Sequence, residues 1–144
     1  MAFQLPDPST PFGARVARRL HDEHLIWLTT VNSKGIPQPT PVWFLWDDAT
    51  ATFLIYSRAD AKRLAHLQQN PKVALNFDGN GHGGDIIVIL GEAQVGSSDP
   101  PANQLPSYVE KYTDYIASRY ATPENFASIY SVAMRILPTN VRGH

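Results

Sequence analysis

The chain has 144 residues, a length typical of one domain, and its 43% hydrophobic and 17% charged composition is ordinary for a globular protein. It has no cysteine, which excludes disulfides, thiolate metal sites and a cysteine nucleophile. The net charge of −1 argues against a nucleic-acid surface, and no apolar run reaches the roughly 18 residues of a membrane span. We expect one cytoplasmic domain over 1–144, with residues 1–9 as an arm and no signal peptide.

The first predicted element is a helix that begins at Thr10, a suitable N-cap, with Pro11 at the first helical position. The sequence then changes to short runs rich in branched and aromatic residues, which predict strands. Three such runs follow, at 25–31, 36–46 and 52–57. Alternating prolines in the second run cannot donate ladder hydrogen bonds, so its first half is predicted to be an edge or irregular strand.

The second half of the chain predicts further helices and strands. A helix over 61–69 is predicted to take Asp60 as its N-cap and to end at Asn70-Pro71. The remaining elements are strands at 72–78 and at 85–95 (with a possible bend at Gly91), helices at 108–120 and from Thr122, and a sixth strand at 133–138. Short antiparallel strands with few helices favour a closed barrel, because closure removes exposed sheet edges. A four-stranded α+β sheet is the alternative.

The junction between the third strand and the following helix has the chemistry of an anion site. Lys62 and Arg63 fall in the first helical turn, where positive side chains oppose the helix dipole. A phosphate there would meet free backbone N–H groups and both cations, with a hydroxyl from Ser57 and bidentate hydrogen bonds from Arg58. A solvated charged surface accounts for the same residues equally well.

A second candidate feature is the proline-rich edge around Thr40. Because prolines keep this edge from pairing with another strand, its backbone groups remain available to a ligand. Together with Pro41, Val42 and Trp43, they could form the wall that a flat heteroaromatic ring needs. The alternative is an edge strand whose tryptophans simply pack in the core.

Several reaction classes lack their motifs. The sequence has no G-x-G-x-x-G after a strand, no P-loop motif and no G-x-S-x-G, which argues against dinucleotide, P-loop and serine-hydrolase sites. His21 and His24 lie three residues apart but have no nearby third ligand in the sequence. We therefore assign no metal.

The order of these motifs resembles the pyridoxamine 5′-phosphate oxidase-like split-barrel family. The segments that carry the resemblance are Gly35 to Phe44, the strand ending at Ser57, the basic helix closed by Leu67-Gln68-Gln69-Asn70-Pro71, the strand from Lys72, Gly83-Gly84-Asp85 and the C-terminal 135–144. Within that family the chain is similar to the actinobacterial branch of deazaflavin (F420)-dependent oxidoreductases. The resemblance covers residues 12–144 and implies a mainly β fold with flanking helices, built as a six-stranded antiparallel split barrel.

The resemblance also implies a function. It implies a homodimer with two cofactor sites at the subunit interface, and hydride transfer between F420 and a small conjugated or heteroaromatic substrate. The cofactor phosphate would lie at the basic junction, where the family's usual lysine falls on Arg63, with Lys62 one residue earlier as the other possible contact. The ring would lie along 40–43, and no catalytic acid or base is assigned because the cofactor carries the chemistry. An FMN-dependent oxidase or reductase, and a flavin- or haem-binding protein without turnover, are the alternatives.

Two other groups of residues bear on this hypothesis. Arg15, Arg18 and Arg19 share a helix face that could pair with the polyglutamate tail of F420, although ordinary solvation also explains them. Three tyrosines of the 108–120 helix could border the substrate or serve amphipathic packing: Tyr112, Tyr115 and Tyr120.

Overall fold

Residues 3–144, as described by a computed structural model, contain a seven-stranded antiparallel sheet and four α-helices. The strands are β1 (Leu25–Val31), β2 (Pro37–Trp43), β3 (Leu45–Asp47), β4 (Thr52–Ser57), β5 (Lys72–Asn76), β6 (Ile87–Val95) and β7 (Val132–Gly143). The helices are α1 (Pro11–Asp22), α2 (Lys62–Gln69), α3 (Pro106–Tyr120) and α4 (Pro123–Ile129). None of these helices is long and apolar enough to cross a membrane. Residues 1–2 of the predicted arm lie outside the described part.

The sheet curls into the predicted split barrel. Its strands pair in the order β2-β1-β5-β6-β7-β4-β3, and β2 also approaches β4 across the sheet. There are seven strands in the described chain rather than the predicted six, because the run 36–46 breaks at Phe44 into β2 and β3. Phe44 leaves the ladder and buries its ring completely. The mainly β fold with flanking helices is confirmed.

The prolines of β2 lie at the sheet edge, as predicted. Pro37, Pro39 and Pro41 stand opposite β1 residues in the ladder, and no strand pairs with the other side of β2 in residues 3–144. An edge strand tolerates proline because a missing N–H on the outer side costs no ladder hydrogen bond.

The last strand is longer than the predicted 133–138, because a bulge accommodates its proline. Gly91 of β6 stands opposite Pro138 of β7, and the register shifts between Leu90 and Gly91. Proline is tolerated at such irregularities, so β7 continues to Gly143 instead of ending at Pro138. At Gly91, where the sequence predicted a possible bend, the structure has this register shift.

Strand β4 separates two hydrophobic clusters and is buried on both faces. Phe53 and Ile55 point into the barrel core, which α1 and α2 also cover. Leu54 and Tyr56 point the other way, into a cluster with the buried faces of α3 and α4. The second cluster gives the barrel an aromatic layer on its outside, and the candidate site lies there.

The two Thr-Pro helix starts are confirmed, whereas the predicted cap of α2 is wrong. Thr10 accepts a hydrogen bond from Gly13 N–H at 3.0 Å, and Thr122 accepts one from Asn125 N–H at 3.1 Å. Helix α2 instead has Ala61 in the N-cap position, with no side-chain cap. Asp60 is exposed and pairs with an arginine, which removes it from the helix end. The first turn of α2 therefore lacks a side-chain cap for its N–H groups.

Helices α3 and α4 meet at a strained turn. Ala121 has φ 67° and ψ −54°, and the Thr122 N–H donates to the Tyr120 carbonyl at 2.8 Å. This is a γ-turn of the rare type with positive φ, which an L-residue with a Cβ adopts only under strain. The turn brings the end of α3 and the start of α4 close together.

We expect Ala121→Gly to leave the free energy of unfolding unchanged or to raise it by up to about 1 kcal/mol. Glycine removes the strain of the positive φ, which offsets the entropy that it adds to the unfolded chain. Ala117→Gly, at an exposed position inside α3, is the matched control and should lower the free energy of unfolding by about 0.5–1 kcal/mol. Urea denaturation followed by circular dichroism measures both, and equal losses would contradict a strained turn.

Candidate functional site

A cavity of about 300 Å³ lies between β2, β4 and the helices α3 and α4. The strands contribute the predicted wall residues Pro41, Val42 and Trp43, and α2 contributes Arg63 from the basic junction. The α3–α4 region covers the cavity with aromatic and basic side chains: Tyr108, Arg119, Tyr120, Phe126 and Tyr130. Two features that are far apart in sequence, the proline-rich edge and the basic helix, thus border one space.

Larger grooves elsewhere have less suitable chemistry. A groove of about 820 Å³ lies between the N-terminal arm and β7, but Glu92 is the single charged residue of its described lining. Another, of about 700 Å³, runs along the outer side of α2, and Lys62 lines it together with Asp60. A third groove, of about 490 Å³, lies along α3 and has Lys111 and Tyr115 in its lining, but Glu110 and Asp114 offset that charge. The smaller cavity combines aromatic walls with cations and has no carboxylate in its described lining, so we take it as the candidate site.

Arg63 is the cation that faces this cavity from the basic junction. Its Nη1 donates to Ser57 Oγ at 3.2 Å, and Ser57 is completely buried at the end of β4. No carboxylate oxygen of residues 3–144 lies within 4.0 Å of the guanidinium nitrogens. Burial lowers the pKa of Arg63 below its usual value, because desolvation disfavours the charged form. A half-buried cation without a carboxylate partner attracts an anionic ligand.

Four of the predicted contacts do not belong to the described lining of this cavity: Thr40, Ser57, Arg58 and Lys62. Lys62 is exposed and lines the groove on the other side of α2. Arg58 is exposed, and its Nε lies 3.2 Å from Asp60 Oδ1. Thr40 is paired within the β1–β2 ladder and does not line the cavity. Of the two alternatives that the sequence left open, only Arg63 borders the cavity.

Trp43 lies within a stack of four aromatic rings. Its ring centroid is 4.6 Å from that of Tyr112, at an interplanar angle of 6°, and 5.2 Å from that of Phe126, at 16°. Phe126 stacks in turn on Tyr130, at 4.7 Å and 13°. Two rings that stack on the indole cover part of its surface, and the remaining part of Trp43 lines the cavity.

The Tyr112 hydroxyl holds α3 against the break between β2 and β3. It accepts a hydrogen bond from Phe44 N–H at 2.8 Å and lies within donating distance of two carbonyls, His24 O at 2.7 Å and Phe44 O at 2.8 Å. Burial raises the pKa of Tyr112 well above its usual value. Lys111 also donates to the Phe44 carbonyl, at 2.8 Å, and burial lowers its pKa to about 8. These contacts fix the backbone next to Trp43.

Of the residues that α3 and α4 bring to the cavity, only Tyr120 was proposed from the sequence. Tyr108, Tyr112 and Ile116 are spaced i, i+4, i+8, which marks a buried helix face but not its contacts. Of the three tyrosines proposed at the substrate, Tyr120 lines the cavity, while Tyr112 packs behind Trp43. Tyr115 remains 42% exposed and does not line the cavity.

Two phenol hydroxyls at the cavity pair with each other. The oxygens of Tyr120 and Tyr130 are 2.9 Å apart, and burial raises the pKa of Tyr120 to about 12. One of the two O–H groups must donate to the other, so the second remains free to donate elsewhere. No aspartate, glutamate or histidine belongs to the described lining. The cavity therefore offers mainly hydrogen-bond donors and positive charge.

The predicted three-arginine face of α1 is largely engaged within the protein. Arg15 Nε lies 2.9 Å from Asp85 Oδ1, an ion pair whose angle does not suit a hydrogen bond. Arg19 is buried between Asp85, at 3.1 Å, and Glu23, at 2.9 Å. Only Arg18 remains exposed, so this face no longer favours a polyglutamate tail.

Comparison with known proteins identifies the family. A family model described as pyridoxamine 5′-phosphate oxidase matches residues 12–144. The chain belongs to this family. No curated protein matches the sequence.

Solved structures with this fold include proteins that are described with different functions. An F420 reductase is 19% identical, with 87% of this chain and 94% of that chain covered and a TM-score of 0.66. A conserved hypothetical protein from Mycobacterium tuberculosis is 21% identical, with coverages of 90% and 81% and a TM-score of 0.66. A heme storage protein from Vibrio cholerae is 10% identical, with coverages of 93% and 95% and a TM-score of 0.63. At these identities the likeness establishes the fold of this pyridoxamine 5′-phosphate oxidase-family member and not its ligand.

We expect Tyr112→Phe to lower the free energy of unfolding by about 1–3 kcal/mol, because it leaves the buried Phe44 N–H without an acceptor. Tyr115→Phe, which removes the hydroxyl of an exposed ring on the same helix, should change it by less than about 0.5 kcal/mol. Urea unfolding of both variants measures the difference. Similar small effects of both substitutions would contradict the anchoring role of Tyr112.

Proposed function

We propose that this member of the pyridoxamine 5′-phosphate oxidase family is an oxidoreductase that uses F420 to reduce a small conjugated or heteroaromatic compound. The observation that carries the proposal is the position of Arg63, a half-buried cation without a carboxylate partner in the described chain, beside an aromatic cavity. A ligand that suits this cavity combines a planar ring with an anionic group, and a phosphate-bearing flavin or deazaflavin has both.

The residues present fit such a cofactor. Arg63, whose guanidinium is positioned by its hydrogen bond to the buried Ser57 hydroxyl, would hold the phosphate. Pro41, Val42 and Trp43 would form the wall beside the ring. Arg58 and Lys62 are exposed and do not line the cavity, although Arg58 lies near the cavity-lining Tyr130. Their expected contribution to anion binding is small, because exposed charges are screened by salt.

When bound, reduced F420 would supply a hydride from its ring C5, and a proton from solvent would complete the reduction of the substrate. The protein's own part is to bind, orient and exclude water. The stacked rings that cover the cavity provide the dry wall, and Arg63 fixes the anionic end. We assign no general acid or base.

FMN is the alternative cofactor, because it offers the same combination of a planar ring and a phosphate. A haem-binding role without turnover is a further alternative, since the heme storage protein has the same fold. The side chains in the described lining that could ligate haem iron are tyrosines. The binding experiment below separates the three ligands.

The protein is also proposed to be a homodimer whose second subunit completes the site. The outer face of the β1–β2 pair is apolar and open: Leu25 is 53% exposed and Trp27 is 36% exposed. Pro41 stands opposite Trp27 in the ladder, and Pro39 stands opposite Thr29, two residues further along β1. Leu25 and Pro41 also line the cavity, so the apolar face and the candidate site adjoin. A second copy seated on this face would cover the patch and border the cofactor at once.

We expect Arg63→Gln to weaken F420 binding by about 10- to 1,000-fold, because it removes a charged hydrogen bond from a partly desolvated site. Lys62→Gln is the matched control and should change the affinity by less than about threefold, since an exposed charge contributes little. Titrations of F420, FMN and haem, monitored by absorbance and fluorescence at near-physiological salt, measure the affinities. Tight FMN or haem binding with weak F420 binding would replace the proposed cofactor. An effect of Lys62→Gln as large as that of Arg63→Gln would move the phosphate site out of the cavity.

We expect Trp27→Glu to convert the homodimer into a monomer, because it introduces a charge into the centre of the apolar β1–β2 face. Val95→Glu serves as the control, because Val95 is also an exposed apolar residue but lies on a different strand, β6. It should leave the dimer intact. Light scattering coupled to size-exclusion chromatography measures the mass. A wild-type protein that remains monomeric at high concentration would exclude the dimer, and a monomeric Val95→Glu variant would point to a different interface.

A further inference from the structure

Two polar groups at the cavity are not used by the proposed cofactor contacts. Arg119 lies in the last turn of α3, is exposed and lines the cavity. Within residues 3–144 it has neither a carboxylate within 4.0 Å nor a side-chain hydrogen bond. Tyr108 lines the same cavity with a ring that is 0% exposed, and its hydroxyl has no hydrogen-bond partner in the described chain.

The Tyr108 hydroxyl is unusual because other buried phenols of this cluster are satisfied. Tyr56 donates to the Pro100 carbonyl at 2.6 Å, and Tyr112 bonds to the backbone at the β2–β3 break. A buried hydroxyl without a partner destabilises the folded protein, and such groups are rare unless a ligand supplies the missing acceptor. Burial raises the pKa of Tyr108 well above its usual value, so the hydroxyl stays protonated and able to donate.

Arg119 is exposed and, unlike several other arginines of the chain, has no carboxylate partner in residues 3–144. Arg135 pairs with Asp47 and Asp99, and Arg19 pairs with Asp85 and Glu23. Arg63 also lacks a carboxylate, but it has the Ser57 hydroxyl and, in the proposed function, the cofactor phosphate. Arg119 therefore leaves one positive charge at the cavity that neither the protein nor that phosphate compensates.

The walls of the cavity favour a flat occupant. Phe126 and Tyr130 stack nearly parallel at 4.7 Å, and the ring of Tyr120 stands against Phe126 at 72°. Flat apolar walls with donors at their rim suit a planar molecule that carries acceptor atoms at one end. Donors without neighbouring carboxylates favour a carboxylate over a neutral or cationic group, because the bidentate guanidinium matches its two oxygens.

We propose that Tyr108 and Arg119 bind the carboxylate of the substrate, and that the substrate class is a planar conjugated carboxylic acid, such as an aryl-substituted unsaturated acid. The inference rests on the proposed function for the identity of the site, but it concerns residues that the cofactor phosphate does not need. Arg119 pairs with the carboxylate at the mouth of the cavity, and the Tyr108 hydroxyl donates to one carboxylate oxygen from within.

The test compares trans-cinnamate with cinnamamide, its uncharged analogue, as probes for the F420-loaded protein by isothermal titration calorimetry. Wild-type protein should bind cinnamate at least tenfold more tightly than the amide. Arg119→Gln should abolish most of that preference while changing amide affinity less than twofold. Arg18→Gln, at an exposed position of α1, is the matched control and should retain the preference.

Tyr108→Phe provides an independent measurement. It should weaken cinnamate binding by about threefold to tenfold, because one hydrogen bond to the carboxylate is lost. Its melting temperature should stay the same or rise, since the substitution removes an unsatisfied buried hydroxyl. A fall in melting temperature with unchanged cinnamate binding would mean that the hydroxyl has a structural partner, and would overturn its assignment.

Further outcomes separate this inference from the proposed function. Equal wild-type affinities for the two probes, or no cinnamate binding at millimolar concentration, would overturn the carboxylate assignment. Loss of F420 affinity in Arg119→Gln would show that this arginine binds the cofactor. That result would also overturn the carboxylate assignment. If the wild-type protein does not bind F420, the same titrations are made on the protein alone. A carboxylate preference that depends on Arg119 would then support the carboxylate assignment. Only the proposal that F420 is the cofactor would be contradicted.

Discussion

The site depends on how one buried hydroxyl, that of Tyr112, satisfies the backbone where β2 breaks from β3. At Phe44 the chain leaves the sheet, and its N–H and carbonyl must find partners away from water. Tyr112 meets the N–H, and Tyr112 together with Lys111 meets the carbonyl. Because the same tyrosine stacks on Trp43, one side chain fixes both the break in the edge strand and the first ring of the aromatic stack. The cavity wall follows from that arrangement.

The charges of the protein divide into two sets with different roles. Arg135, Arg19 and Arg15 lie against carboxylates and tie loops and α1 to the sheet. The cavity-lining Arg63 and Arg119 have no such carboxylate in the described chain. Arg63 is partly desolvated, and a cation in that position without a carboxylate lowers stability, for which fold architecture alone gives no reason. A ligand that brings negative charge supplies the reason, as does an acceptor for the Tyr108 hydroxyl.

Local sequence patterns predicted many of the helix and strand boundaries. The predictions failed where contacts with residues outside the local segment decided the boundary. Thr10 and Thr122 cap their helices as expected, because N-caps followed by proline act within one turn. Asp60 had the same propensity but pairs with Arg58 instead, so α2 begins one residue later without a side-chain cap. The predicted end of β7 at residue 138 was wrong, because a bulge opposite Gly91 of the neighbouring strand β6 accommodates Pro138.

The sequence by itself determined the split-barrel family, the edge position of the prolines and the two short segments, 40–43 and 57–63, proposed to meet a cofactor. These properties depend on residue types at fixed local spacing, which a linear pattern retains. The tertiary structure alone decided that Arg63, and not Lys62, borders the cavity, and that α3 and α4 cover it. It also revealed the unpartnered Tyr108 hydroxyl and the uncompensated Arg119. Such properties depend on which groups are buried together, and burial is set by contacts between residues far apart in the chain.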